Sequence, residues 1–349
     1  MPPVFQNVID MSSRVENYFP ERTGSGPPVL LIGPATDSPV PPLDLLKLST
    51  FLHKRGYSPS LHRGVLDKTI PEPHAVILTS VFSWEVPGLR QLIASAKEYW
   101  PRARTILTGV LPRKLGEAAQ REFAVNIFDE RSEILLDDER PDYGLVSEWD
   151  ASIVITSKGV CPRECTHCET ATRGKGVTKL IRKWHDHLQA QLPRIEVWDN
   201  TLPLTSREHF CDVAKRLGET EKLVDIVCGI APGGVDEAEL HWRIDRLAPV
   251  RLAPARLECN LLEDLPRFFR LLGHARAAFG NSVRFRAFAV VNGTESPQAA
   301  QSRIDQMAAE GIEIDPVCFT PHNWHGSQPY VNKATGWTLM DIERFQRRN

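Results

Sequence analysis

The segment ASIVITSKGVCPRECTHC (151–168) places a short apolar run directly before three cysteines, Cys161, Cys165 and Cys168. Its first part, SIVITS (152–157), is rich in β-branched residues, which is typical of a buried parallel strand. In folds built on parallel strands, binding and catalytic groups gather at the carboxyl ends of the strands. The three thiols are therefore predicted to lie at the edge of a sheet where a site can form.

The sequence after this segment repeats a strand-then-helix pattern. Strand-like runs occur at 152–157, 194–199, 223–229, 255–260, 283–291 and 312–319. Of the helices between them, one is predicted to begin with a capping box of Thr205 and Glu208, and another with Ser296 as N-cap and Pro297 at the first helical position. An eight-strand barrel takes about 250 residues, which is more than remain here. The prediction for residues 149–321 is an open six-strand (β/α)6 partial TIM barrel.

The sequence before the barrel predicts a separate, smaller domain at residues 27–148. Apolar runs at 28–34, 74–82 and 103–110 alternate with amphipathic helical segments, which predicts a small doubly wound, Rossmann-like parallel sheet. Residues 1–26 are predicted to be an N-terminal arm and linker. Residues 322–349 are predicted to be a C-terminal tail that could serve as a lid.

Composition excludes several classes of protein. The formal net charge of −2 over 349 residues gives no reason to expect a nucleic-acid or membrane partner. No apolar run approaches the roughly 18 residues that span a bilayer, and the N-terminus lacks the pattern of a secretory leader. The seven cysteines are an odd number and unevenly spread, unlike a secreted disulfide framework. We expect a cytoplasmic protein with reduced thiols.

Three clustered thiols can bind several metals. Thiolates select zinc, copper(I) or iron–sulfur clusters, and a structural zinc site needs four protein ligands. The adjacent His167 is poorly placed to bind the same ion as Cys168, and no second CxxC completes a four-cysteine site. Three cysteines suit a four-iron, four-sulfur cluster with one iron left open. Zinc binding and three incidental thiols remain alternatives.

The run CPRECTHC (161–168) resembles the CxxxCxxC motif of the radical S-adenosylmethionine enzymes. The resemblance implies a six-strand (β/α) barrel in which Cys161, Cys165 and Cys168 hold a 4Fe–4S cluster. It further implies that S-adenosylmethionine binds the open iron and is cleaved reductively to a 5′-deoxyadenosyl radical. That radical would abstract hydrogen from a small-molecule substrate.

The same resemblance assigns residues to S-adenosylmethionine. The end of the second barrel strand, the fourth strand and the loop after the fifth strand contact this cofactor in the family. The corresponding positions here are Asp199, Asn200, Arg256, Glu258, Asn260 and Gly293. Each also has an ordinary structural interpretation: Asp199 can cap a turn, Glu258 can pair with Arg256, and Gly293 can be a turn glycine.

The order of elements in the N-terminal domain resembles the cobalamin-binding domain of one large radical S-adenosylmethionine subgroup. That resemblance implies methyl transfer, or alternatively a ring contraction or cyclisation. The strand-end residues assigned to cobalamin are Thr79, Ser80, Thr108 and Gly109. The DxHxxG motif that supplies an axial histidine is missing from the loop GPATDSPVPPLDLL. The domain therefore binds cobalamin without that ligand, or binds nothing.

The segment CFTPHNWHGSQPYVN (318–332) follows the last barrel strand and offers further candidates. Its members that could contact substrate or relay a proton are Cys318, His322, His325 and Tyr330. A basic stretch at 173–184 could receive an electron donor such as flavodoxin or ferredoxin, or be a solvated helix face. The alternative to an enzyme is a non-catalytic barrel stabilised by zinc or an iron–sulfur cluster.

Overall fold

The computed structural model describes residues 15–24, 26–33, 40–80, 85–109, 121, 123–128, 135–158, 178–199, 202–230, 235–280, 283–321 and 329–346. Several predicted site residues lie outside this set: Cys161, Cys165, Cys168, Asn200, His322 and His325. The chain forms two compact units, Met1–Trp149 and Asp150–Asn349. None of the described helices combines the length and the apolar character needed to cross a bilayer.

The first unit is built on a parallel sheet. Its strands are β1 (Pro28–Ile32), β2 (Ser58–His62), β3 (Ala75–Thr79), β4 (Arg104–Thr108) and β5 (Asn126–Ile127). They lie in the order β2-β1-β3-β4-β5, and every pair is parallel. The helices of this unit are α1 (Val15–Tyr18), α2 (Leu43–Lys54) and α3 (Val86–Tyr99). The chain order reverses between β1 and β3, where such sheets open a binding crevice.

Both faces of this sheet are apolar, and each is buried against a helix. Leu31 and Ile77 are buried on the face that also holds Leu45 of α2. Ile32 is buried on the opposite face, with Leu89 of α3. Burial on both faces explains why these strands read as continuous apolar runs rather than alternating ones.

The second unit contains two three-stranded parallel sheets. One is ordered β10-β9-β6 and the other β11-β12-β13. The strands are β6 (Ala151–Val154), β9 (Arg194–Val197), β10 (Leu223–Ile226), β11 (Ala255–Glu258), β12 (Phe285–Val291) and β13 (Glu313–Cys318). A short antiparallel pair, β7 (Ser157–Lys158) with β8 (Lys179–Leu180), follows β6. The predicted α/β class with parallel sheets is confirmed.

Helices follow the strands of the second unit in alternation. They are α4 (Arg207–Glu219), α5 (Glu237–Leu247), α6 (Leu265–Phe279), α7 (Pro297–Ala309) and α8 (Leu339–Gln346). Ser296 caps α7 as predicted, since its hydroxyl accepts from the Ala299 N–H at 3.2 Å. The capping box at Thr205 is wrong. Ser206 caps α4, because its hydroxyl accepts from the His209 N–H at 3.3 Å, whereas the Thr205 hydroxyl donates to the Leu202 carbonyl at 2.8 Å.

The core of the second unit lies between its strands and helices. Strand residues such as Ile195, Val224 and Leu257 meet the apolar faces of α4 to α7 there. The segment after β13 joins the same core, because Trp337 and Phe345 are buried in it. The residues at the C-terminal end of the described chain are therefore part of the packed unit.

Candidate functional site

The carboxyl ends of the strands in the second unit carry most of the predicted site residues. Thr156 and Ser157 follow β6, and Asp199 follows β9. Asn260 follows β11, and Asn292 follows β12. Because neighbouring parallel strands end at the same edge of a sheet, this edge is where a ligand would meet several elements at once.

Asp199 is the most heavily hydrogen-bonded of these residues. Its carboxylate accepts from the Thr156 N–H at 3.2 Å and hydroxyl at 2.6 Å. It also accepts from the Ser157 N–H at 2.5 Å and from the Ser157 hydroxyl at 2.8 Å. The Leu202 N–H donates to its second oxygen at 2.9 Å. With its surface 1% exposed, Asp199 joins the end of β6 to the turn after β9, as a turn cap does.

The predicted metal ligands lie in the cysteine segment (159–177), which is outside the described residues. Its two flanks are described and adjoin each other: Ser157 pairs with Leu180, and Lys158 with Lys179. The Ile181 N–H donates to the Thr156 carbonyl at 2.9 Å. Both ends of the segment are thus held next to Asp199.

The donor set of the cysteine segment fits an iron–sulfur cluster. Three thiols are three of the four ligands of a cubane cluster, and one iron would remain open. Among the described residues, no group of His, Cys, Asp and Glu is arranged to hold a metal ion.

The face of the sheets opposite the helices is charged. Arg256 of β11 donates to both oxygens of Asp225 of β10 at 2.7 Å. It also reaches Asp315 of β13 at 3.0 Å. Burial alone lowers the pKa of Arg256, but the hydrogen bonds and charges of its carboxylate partners outweigh this effect and raise it. Arg256, predicted to contact S-adenosylmethionine, is thus engaged in linking three strands.

A second buried carboxylate, Glu196 of β9, lies on the same charged face. The Trp198 indole donates to it at 2.9 Å, and the Arg194 guanidinium at 3.2 Å. Burial raises the pKa of the Glu196 carboxyl, and the hydrogen bond from Trp198 offsets this only in part. The neighbouring charge of Asp225 also raises that pKa.

Asn260 and Glu258 offer acceptors at the end of β11. The Asn260 amide nitrogen donates to the Glu258 carboxylate. The Asn260 Oδ1 atom is buried and has no hydrogen-bond partner among the described residues. A buried acceptor without a donor is costly unless a ligand or water supplies one. This acceptor fits the amino group or a ribose hydroxyl of S-adenosylmethionine.

Asn292 organises the end of β12, where the sequence pointed to Gly293. Asn292 has a φ of 60° and is 0% exposed. Its amide nitrogen donates to the carbonyls of Phe319 at 2.9 Å and Tyr330 at 2.7 Å. Its oxygen accepts from the Asn332 N–H at 2.8 Å. The residue in the left-handed region at this turn is therefore the asparagine.

The carbonyl of Gly293 is also used by the chain. It accepts from the Asn332 amide at 2.7 Å and from the Thr335 hydroxyl at 3.0 Å. The assignment of Gly293 to S-adenosylmethionine stays a prediction. The described contacts of Gly293 hold the segment after β13 against the end of β12.

Two of the four candidates for substrate contact are described. The Tyr330 ring packs edge-on against Phe319, with ring centroids 6.0 Å apart. Cys318 ends β13 as a free thiol, and burial raises its pKa to about 11. Cys228, after β10, has its pKa raised to about 12 by burial, with the charges of Asp199 and Glu258 adding to the effect. Both thiols are therefore protonated at neutral pH.

In the first unit, the strand-end residues assigned to cobalamin are buried, and two of the four donate to carboxylates. The Thr79 hydroxyl donates to Asp44, and the Ser80 hydroxyl donates to Glu85 at 2.9 Å. Gly109 has a φ of 99°, and a Cβ there would lie 2.5 Å from the Ser80 carbonyl oxygen. The ends of β3 and β4 therefore meet backbone to backbone. Thr108 is buried as the last residue of β4.

These residues fit cobalamin in part. Hydroxyls that give their protons to carboxylates keep lone pairs, so Thr79 and Ser80 can accept from amide groups such as those around a corrin ring. The carboxylates of Asp44 and Glu85 are unfavourable neighbours for the phosphate of the nucleotide loop. The fit therefore concerns the amide side chains and not the charged part of the cofactor.

Sequence reasoning missed several residues that hold the site together. Thr156 and Ser157 were assigned only to a strand, yet they supply four of the donors to Asp199. Asn292 precedes a glycine, and an Asn-Gly pair is a turn pattern that could have identified it. No sequence pattern identifies Asp44 or Glu85, because the hydroxyl groups that donate to them belong to residues after or at the end of β3, outside their own helix region.

Comparisons with known proteins give a structural likeness only. No protein-family model and no curated protein matches the sequence. Among solved structures, the selenomethionine-labelled apo form of OxsB, a cobalamin-dependent S-adenosylmethionine radical enzyme, matches with a TM-score of 0.54 and 12% identity. The match covers 80% of this chain and 51% of OxsB, so the chain spans about half the length of that protein. At this identity the likeness shows the fold, a parallel α/β architecture like that of a radical S-adenosylmethionine enzyme.

Proposed function

We propose that this chain is a radical S-adenosylmethionine enzyme. The observation that carries the proposal is the CxxxCxxC spacing of Cys161, Cys165 and Cys168 in a segment whose two flanks pair at the carboxyl end of β6. The fold shared with OxsB supports it. The cysteine spacing and the fold are each less specific alone than the two together, with the motif directly after the first strand of the second unit.

The three cysteines would hold a 4Fe–4S cluster. Such a cluster, once reduced by an electron donor, would supply the electron for cleaving S-adenosylmethionine to methionine and a 5′-deoxyadenosyl radical, and that radical would abstract hydrogen from a small-molecule substrate. Asn260 Oδ1, a buried acceptor without a described donor, would orient the cofactor through its amino group or a ribose hydroxyl. Tyr330 and Cys318, with His322 and His325, are proposed to contact substrate.

The two sheets of the second unit are proposed to form one six-strand (β/α)6 partial barrel. A parallel bridge joins Val224 of β10 to Leu252, just before β11. The Ile230 N–H donates to the Arg256 carbonyl at 2.9 Å, and the Arg256 side chain returns to Asp225. These links give the order β6-β9-β10-β11-β12-β13, which is chain order, as in a barrel. The charged face would then line its interior.

Product analysis tests this proposal. The protein is reconstituted anaerobically with iron and sulfide, given S-adenosylmethionine and a low-potential reductant, and assayed for 5′-deoxyadenosine by mass spectrometry. We expect the product from wild type and from Cys211→Ala, which removes a free thiol of α4 outside the motif. We expect none from Cys165→Ala. Tightly bound zinc and no 5′-deoxyadenosine would instead indicate the non-catalytic metal-stabilised barrel.

Cobalamin-dependent methyl transfer is the second candidate. The strand order β2-β1-β3-β4-β5, with its crevice between β1 and β3, supports a cofactor site at the end of the first sheet. Retention of cobalamin through gel filtration, and transfer of a labelled methyl group, would support methylation. Formation of 5′-deoxyadenosine without cobalamin would support a radical rearrangement or cyclisation.

The reaction also implies a partner and a setting. A flavodoxin or ferredoxin is proposed to deliver the electron, and the basic stretch 173–184 to receive it. The described cysteines, Cys211, Cys228, Cys259 and Cys318, are all free thiols, which fits the reducing cytoplasmic setting that an iron–sulfur enzyme needs. The domain limits are proposed as predicted: a cobalamin-binding-like domain at 27–148, the barrel at 149–321 and a terminal segment at 322–349.

A further inference from the structure

Asp199 has a different role from the one its position in the family suggests. We infer that Asp199 is a positioning residue that fixes the base of the cysteine segment, and not a ligand of S-adenosylmethionine. This inference rests on the proposed function, because it concerns the segment that would hold the cluster.

The hydrogen-bonding capacity of Asp199 is taken up by the chain itself. A carboxylate offers about four lone-pair directions. Two N–H groups and two hydroxyls of Thr156 and Ser157, with the Leu202 N–H, already point to its two oxygens at 2.5–3.2 Å. The side chain is also 1% exposed. A cofactor ammonium would have to displace these donors.

The donors lie close in sequence to the first cysteine. Ser157 is four positions before Cys161, and each residue spans at most about 3.6 Å. Fixing two consecutive N–H groups on one acceptor fixes the direction in which the chain leaves β6. The pairing of Lys158 with Lys179 brings the returning end of the segment to the same place.

A second buried side chain lies beside the same base, on α4. His209 is 9% exposed. Burial lowers the pKa of this imidazole, although the nearby charge of Asp199 and the nearby Thr156 backbone act in the opposite direction. Thr156 therefore lies between the turn after β9, where Asp199 accepts from it, and the first turn of α4.

The experiment compares wild type with Asp199→Ala and with the matched control Asp212→Asn. Asp212 is a half-exposed carboxylate of α4 that pairs with Arg216. The first readout is hydrogen exchange of the cluster-free protein at residues 153–158 and 178–182. The second is the rate at which the reconstituted protein loses iron to a chelator. Circular dichroism reports whether the sheets and helices persist.

In Asp199→Ala, we expect exchange at both flanks to rise at least about 10-fold, because two buried N–H groups lose their acceptor. We expect iron loss to accelerate by a similar factor while the circular dichroism spectrum stays that of wild type. Asp212→Asn should match wild type in both. Unchanged exchange and iron retention in Asp199→Ala would overturn the inference.

Two further variants keep the test decisive. If Asp199→Ala fails to fold, the double variant Thr156→Val, Ser157→Ala removes only hydroxyl donors and should raise exchange by a smaller factor. In Asp199→Asn, a cofactor ligand would show weakened S-adenosylmethionine binding with normal iron retention, which would contradict a positioning role. If wild type takes up no cluster, the proposed function is refuted. Hydrogen exchange at the two flanks would still test whether Asp199 fixes them, because that measurement uses the cluster-free protein.

Discussion

Two buried side chains of the second unit, Asp199 and Asn292, each close the base of a segment that carries predicted site residues. Asp199 gathers donors from Thr156 and Ser157, on one side of the cysteine segment. Asn292 donates to Phe319 and Tyr330, on both sides of the segment that contains His322 and His325. One residue anchors a single flank, and the other bridges two.

The difference follows from the chemistry of the two groups. A carboxylate only accepts, so it can hold N–H and hydroxyl groups but no carbonyl. An amide both donates and accepts, so Asn292 can hold two carbonyls and the Asn332 N–H together. The second flank of the cysteine segment is held by backbone pairing of β7 with β8. Substitutions that exchange the two groups test this comparison most directly.

The largest effect is expected for Asn292→Asp. A carboxylate oxygen would replace the amide nitrogen between two carbonyl oxygens, inside a fully buried site. We expect the free energy of unfolding of the second unit to fall by roughly 3–5 kcal/mol at pH 8. Urea titrations followed by circular dichroism would measure it. Aspartate tolerates a positive φ almost as asparagine does, so backbone strain is not the cause.

The control is Asn292→Ala, which removes the same hydrogen bonds without adding a charge; alanine is less favourable than asparagine at this positive φ, and the expected loss includes that strain. We expect a smaller loss of roughly 2–3 kcal/mol. We expect burial to raise the pKa of the carboxyl introduced by Asn292→Asp, so its penalty should be largest above that pKa and shrink as the pH falls and the group regains a proton. A penalty that does not shrink between pH 8 and pH 5 would contradict this account.

A smaller effect is expected for Asp199→Asn. The new amide places an N–H group against the N–H groups of Thr156 and Ser157, but the two hydroxyls can rotate and accept from it. We expect a loss of about 2 kcal/mol in the free energy of unfolding. Equal losses of unfolding free energy in Asp199→Asn and Asn292→Asp would show that the difference between a carboxylate and an amide at these two positions does not matter.

Deleting a single hydroxyl group near Asp199 or near Asn292 should reduce the free energy of unfolding by less than these substitutions do. Ser157→Ala leaves its N–H on Asp199, and Thr335→Val leaves the Asn332 amide on the Gly293 carbonyl. We therefore expect each to lower the unfolding free energy by only about 1 kcal/mol. Thermal unfolding of the two variants would measure this. A loss as large as that of Asn292→Ala would mean that the remaining donor does not compensate.

The smallest change, and a gain, is expected for Glu196→Gln. The folded-state pKa of Glu196 is raised by burial, so its ionised form is disfavoured in the folded chain. Such a group adds most stability below its unfolded pKa and loses it as the pH rises through the folded pKa. The melting temperature of the variant relative to wild type should therefore rise from pH 4.5 to pH 8. A constant difference would show that ionisation of Glu196 is not responsible.

The sequence predicted the fold well where apolar runs are long. β1, β3 and β4 and the six strands β6 and β9 to β13 all coincide with predicted runs. β2 was missed because its residues, SPSLH, form no apolar run, and β5 because it has two residues. β7 and β8 were missed because two-residue strands depend on pairing across the cysteine segment, which no local pattern encodes.

The site could be predicted at the level of position but not of contacts. Asp199 follows β9 and Arg256 lies on β11, as the apolar runs predicted, while their assignment to a cofactor stays a prediction. Their hydrogen-bond partners lie 31 to 59 positions away in the sequence. A sequence pattern shows which residues follow a strand. It does not show that Arg256 is already engaged by Asp225 and Asp315, which depends on three strands lying side by side.

Pro316 lies in the middle of β13, where the register pairs it with Ala289 of β12. The Phe319 N–H donates to the Val291 carbonyl, so in this parallel ladder the odd-numbered residues of β13 face β12 and residue 316 faces outward. Within the described residues, β13 pairs with β12 alone. A strand from another molecule would have no backbone N–H donor at the centre of this edge, because proline lacks one. Sheet edges that contain proline resist self-association. The chain can thus keep one side of its sheet unpaired without polymerising through it.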